Sequence, residues 1–140
     1  MGMEATPPAR SPREAALRAR LLKLAEVANQ DAALTDRGRF VTLEIQVVID
    51  SCGFFIRLAD GRVAGIDEGP HRMRPCAFIV AGAAEAWDKF WTPVPPPWYH
   101  DLFAMNKKGV LTIEGNLHPF MANLQYFKDL LALPRRIATG

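Results

Sequence analysis

The chain has 140 residues, 49% of them apolar and 23% charged, with a formal net charge of +2. That length suits one domain able to bury roughly 65 to 70% of its unfolded surface, and the composition excludes a disordered chain. The small charge gives no general case for nucleic acid, and no run approaches the roughly 18 apolar residues of a membrane span.

No apolar leader stands at the N-terminus, so a cytoplasmic protein is expected, and the expected source is bacterial. Cys52 and Cys76 form neither a disulfide framework nor a CxxC pair, which predicts reduced thiols. Residues 1–10 read as a flexible tail, and the start Met1-Gly2-Met3-Glu4-Ala5-Thr6 matches a loose myristoylation pattern. Ser11, Pro12 and Glu14 form a capping box, and Leu17, Leu21, Leu24 and Ala28 then share one helical stripe, with Arg13, Arg18, Arg20 and Lys23 on the solvated side or against acidic headgroups.

Thr35 to Gly38 reads as a turn. After it Val41, Leu43, Ile45, Val47 and Ile49 alternate with mostly polar residues, the signature of a strand. Two more strands follow, Phe54 to Ala59 and Arg62 to Asp67, joined by Asp60-Gly61, a hairpin signal because both central residues of a type I′ turn take positive φ. Glu68 to Pro75 reads as a loop, and Cys76 to Ala81 as a central strand buried on both faces. Ala83 to Trp91 is helical in pattern, Thr92 to Pro97 is a semi-rigid proline connector or an SH3-type ligand, and Trp98 to Asn106 reads as a short helix with Trp98, Leu102 and Met105 on one side. Val110 to Glu114 predicts a fifth strand, Gly115-Asn116 a stop and N-cap, and Phe120, Leu124, Phe127 and Leu131 the stripe of one last helix that Pro134 ends. Residues 11–134 thus form the expected single domain, and 135–140 a tail.

No reaction is spelled out. Cys76 with His100 and Asp101 would make a thiol site, but an apolar run raises a thiol pKa. His71, His100 and His118 lack metal-ligand spacing, and no cofactor or metal is expected. Asp101 and Glu114 are the carboxylates within the aromatic stretch; a helix cap or an ion pair to Lys107 or Lys108 accounts for them. No phosphate loop or nucleophile elbow is present.

What stands out is the bulk of the second half. Trp87, Phe90, Trp91, Trp98, Phe103, Met105, Phe120, Met121, Leu124 and Phe127 either fill a core or line an adaptable apolar pocket. An alkyl chain gains roughly 0.8 kcal/mol per buried methylene, enough for a carrier to work without a polar anchor.

The order of elements, and the passage Lys108-Gly109-Val110-Leu111-Thr112-Ile113-Glu114-Gly115-Asn116 followed by Phe120-Met121-Ala122-Asn123-Leu124, resembles the sterol carrier protein (non-specific lipid-transfer) domain from about Ser11 to Pro134. The resemblance implies an α+β fold, a five-stranded mixed sheet with helices packed on one face, around an apolar cavity for a fatty acid, acyl-CoA or sterol, with no catalysis. The ten residues named above would form its wall. Asn116 stands where that family commonly has Asp, the proline linker is unusual, and no peroxisomal address ends the chain. Arg57, Arg62 and Lys107 are the candidate partners for a carboxylate or phosphate, and transient contact with a membrane surface fits such a carrier. The rival expectation is an interaction module with a filled core, dimerising through Trp98, Tyr99 and the proline run; an enzyme using Asp101 or Glu114 comes third.

Overall fold

A computed structural model describes residues 12–69 and 75–137. The Ser11 cap, the N-terminal ten residues, His71 and the last three residues lie outside that description.

The leucine stripe forms two helices, α1 (Pro12–Leu22) and α2 (Leu24–Gln30), separated by a turn at Lys23. Leu17, Leu21, Leu24 and Ala28 are all buried, so the interruption leaves the apolar face continuous. A third helix, α3 (Ala32–Arg37), replaces the turn expected at Thr35. Its cause is Asp31, whose side chain accepts from the Leu34 N–H, a satisfied N-cap that the expectation of a turn passed over.

Strands β1 (Leu43–Ile49), β2 (Cys52–Ala59) and β3 (Arg62–Glu68) form the expected antiparallel meander. Asp60 and Gly61 have φ of 52° and 80°, as a type I′ hairpin demands. Strand β4 (Phe78–Gly82) runs parallel to β1, and β5 (Leu111–Gly115) runs antiparallel to β4. The order β3-β2-β1-β4-β5 puts β1 at the centre, not β4. Phe78 and Val80 of β4 are buried while Ile79 and Ala81 are half-buried on the other face, so β4 is not buried on both sides. The strand with fully buried residues on both faces is β2, at Phe54, Phe55 and Ile56.

Helix α4 (Ala84–Phe90) follows β4. Helix α5 (Leu102–Lys108) starts four residues later than Trp98, because Asp101 caps it by accepting from the Phe103 and Ala104 N–H groups. Trp98, with φ of 76°, belongs to the proline connector and is 49% exposed, whereas Leu102 and Met105 are buried. The last helical stripe also divides, into α6 (His118–Ala122) and α7 (Leu124–Ala132), followed by a 3-10 turn at Leu133–Arg136 that carries the chain past Pro134. Asn123 makes the break at φ −125° and ψ 38°, where its side chain donates to the Pro119 carbonyl.

One face of the sheet, presenting Ile45, Val47, Phe54, Ile56, Phe78, Val80 and Leu111, joins the helices' apolar faces in one core. Tyr126 pins that core to the hairpin: its hydroxyl donates to the Gly61 carbonyl at 2.9 Å, and its ring lies against Gly38.

Candidate functional site

Helix α4 is fixed at both ends by side chains from elsewhere. Its first N–H, on Ala84, donates to Asp50 Oδ1, while at its C-terminal end Arg20 donates to the Trp91 carbonyl and Arg135 to that of Phe90. Cations at the carbonyl end suit the helix dipole, although burial lowers the Arg135 pKa. Between these clamps Trp87 donates to the Val48 carbonyl at 2.9 Å and Trp91 to that of Leu131 at 2.7 Å. Both indoles are therefore satisfied inside the core, with Phe90 packed edge-on against Trp87.

A second aromatic group lies where α5, α6 and α7 meet β4. Phe120 is 1% exposed and has ring neighbours in Phe78 at 5.2 Å, Phe103 at 5.8 Å and Phe127 at 6.0 Å. Met105 is fully buried and Leu124 half-buried in the same core. Phe120 is the buried residue of α6, while Leu117 and Met121 face solvent at 41% and 54% exposure.

The structure thus brings Phe103, Phe120 and Phe127 together, puts Trp87, Phe90 and Trp91 in a neighbouring group, and leaves Trp98 and Met121 outside. Two hollows bordered by described residues lie elsewhere. One of about 430 Å³ is bordered by Leu34, Leu133, Arg37 and Arg136, and one of about 460 Å³ by Leu43, Glu44, Arg57 and Cys76 on the opposite sheet face. Neither is lined by any of the ten predicted residues.

The titratable residues have structural duties. Burial, helped by the charge of Glu44, pushes the Cys76 thiol up, away from a reactive thiolate. Asp101 pairs with Lys128 at 2.9 Å rather than with Lys107 or Lys108. Burial opposes its ionisation, but Lys128 and the two capping N–H groups outweigh that and hold the carboxyl below its ordinary range. Among the candidate anion partners, Arg57 pairs with Asp67 at 3.5 Å, Arg62 reaches the Asn29 carbonyl, and Lys107 is exposed in the last turn of α5. The cation beside the ring group is Lys128, whose Nζ lies 4.9 Å from the Phe103 centroid. It sits on the polar margin of the last stripe, next to Phe127, and that margin was the sequence signal for it. No group of three or more metal-ligating side chains occurs among the described residues. No described helix is long and apolar enough to cross a membrane.

No known family profile matches the chain, and no curated protein matches it. Its fold is shared with solved structures. The crystal structure of sterol carrier protein 2 superposes with a TM-score of 0.64 at 15% identity, over 89% of this chain and 96% of the other. Sterol carrier protein domain 2 of Helicoverpa armigera gives 0.61 at 12% identity, over 90% and 95%. A ubiquinone synthesis protein, UbiJ-SCP2, gives 0.53 at 16% identity, over 86% and 96%. The chain therefore has an α+β, sterol-carrier-protein-like fold.

Proposed function

We propose that this protein binds or transfers an apolar small molecule, of the fatty acid, acyl-CoA or sterol class, in an internal site and does not transform it chemically. The observation that carries the reading is the ring group of Phe78, Phe103, Phe120 and Phe127, closed by the short helix α6. Its fold is that of proteins named as sterol carriers, which supports the same reading.

In the described interior these side chains pack on one another, so a ligand has to displace one of them. Moving Phe120 out loses about 1.5 to 3 kcal/mol of burial, plus about 0.5 to 1.5 for each of its ring contacts. Burying the roughly sixteen methylenes of a C18 chain returns about 13 kcal/mol, which exceeds that loss of about 3 to 7.5 kcal/mol and leaves a surplus for binding. The site therefore selects long or bulky apolar ligands over short ones. Native mass spectrometry and fluorescent fatty-acid displacement on delipidated protein test this. Binding tighter than about 100 μM, or about −5.5 kcal/mol, is expected, and no apolar ligand reaching that affinity would overturn the proposal.

A further inference from the structure

Lys128 and Asp101 form a half-buried ion pair, each side chain 27% exposed, next to the ring group. The pair is unusual in its surroundings. Lys128 Nζ sits over the Phe103 ring, Phe103 meets Phe120 edge-on, and Phe120 touches Phe78 and Phe127. A cation thus stands at one end of a continuous apolar track leading inward from α7 to β4. Asp101 Oδ2 is committed to the backbone of α5, which leaves Oδ1 to face Lys128.

A long-chain carboxylic acid carries the two groups that the protein already places here: a carboxylate oxygen on Lys128 and an apolar body in the slot beyond Phe103. The side chains of Asp101 and Phe120 occupy those two places. Helix α6 is built to release its share. It has five residues, its first N–H, on His118, is held by Asn116 Oδ1 at 3.2 Å, and it is bounded by Gly115 at φ 114° and by the break at Asn123. Its Met121 and the preceding Leu117 already face water, so Phe120 is the one fully buried side chain it gives up by swinging out.

We propose that Lys128 and the slot now filled by Phe120 form a site for a long-chain monocarboxylate. Lys128 exchanges Asp101 for the ligand's carboxylate, and the alkyl chain takes the place of the ring. This rests on the apolar-ligand reading and makes it specific, since an alcohol or sterol can accept only a neutral hydrogen bond from Lys128 and brings no charge to replace that of Asp101.

The test measures displacement of Nile red by dodecanoate and by 1-dodecanol in the wild type, Lys128→Gln and Asp101→Asn. Lys128→Gln should weaken dodecanoate about tenfold while dodecanol stays within about twofold. Asp101→Asn keeps an oxygen to cap α5 but removes the competing charge, and should tighten dodecanoate about fivefold without changing dodecanol. Should Lys128→Gln fail to fold by circular dichroism, Lys128→Arg and Asp101→Asn decide, the first retaining dodecanoate and the second tightening it. Equal dodecanoate affinity in wild type and Lys128→Gln, or weaker binding in Asp101→Asn, would overturn the site. If neither ligand binds any of these proteins, the apolar-ligand reading fails as well; if both bind and the variants are indifferent, the anchor alone fails.

Discussion

Replacing Phe120 with Ala tests whether the ring is a structural plug whose place a ligand can take. The side chain is 1% exposed with three ring neighbours within 6.0 Å, so truncation both loses transfer free energy and leaves a hole. Phe-to-Ala changes at such sites cost about 3 to 5 kcal/mol, and the density of rings here puts the expected value near 4 kcal/mol. At about 3 °C per kcal/mol for a chain of this size, the melting temperature should fall by about 12 °C. Urea unfolding followed by tryptophan fluorescence reads this directly, since Trp87 and Trp91 are fully buried. The hole is walled by Phe78, Phe103 and Phe127, and an apolar hole of that kind stays dry and accepts apolar guests. Dodecanol at about a hundred times its Kd should therefore restore about 2.7 kcal/mol to the variant. Its thermal shift should also exceed that of the wild type, which has to expel its own ring first. A loss below about 1.5 kcal/mol, together with a ligand shift no larger than in the wild type, would refute the idea that Phe120 holds the ligand's place.

Tyr126→Phe should cost about 1 kcal/mol at neutral pH by leaving the Gly61 carbonyl without the phenol. Burial raises the Tyr126 pKa from 10.0 to about 12, so the folded state holds its proton where the unfolded chain releases it. The wild type should therefore be unaffected by this group below pH 10 and lose about 2.7 kcal/mol as pH rises towards 12, a loss absent from Tyr126→Phe in parallel alkaline denaturation. Gly38→Ala would drive a Cβ into the Tyr126 ring at Cε1. It should cost about 2 kcal/mol or more in chemical denaturation, and that cost should shrink in a Tyr126→Leu background, where the two changes are not additive. Asp101→Ala removes both an N-cap and the Lys128 pair, so it should destabilise more than Asp101→Asn at neutral pH. Because the folded Asp101 pKa is depressed, that contribution is present above the unfolded value and is lost as pH falls through the folded one, which an acid melt of wild type and variant would show.

Local pattern decided much of the chain. The leucine stripe of α1 and α2, the alternation of β1, the Asp60-Gly61 hairpin and the apolar faces around Phe120, Phe127 and Leu131 each follow from periodicity or turn chemistry within a few residues. Together with the passage from Lys108 to Leu124, they made the five strands and the sheet with helices on one face legible. Element ends were less legible. Asp31 and Asp101 override the neighbouring pattern by capping, and Asn123 and Lys23 interrupt helices whose apolar stripes run on unbroken.

Tertiary structure alone decided the rest. Strand order, with β1 central and parallel to β4, depends on pairings between segments more than thirty residues apart. The same holds for the duties of the aromatic residues: Trp87 and Trp91 spend their N–H groups on the distant carbonyls of Val48 and Leu131, while Trp98 is left half in water. Lys128 illustrates the reason. Its sequence neighbours mark it only as the polar edge of a helix, and a charge acquires a role from what the fold sets within a few ångströms of it, here a carboxylate and the rim of a ring cluster.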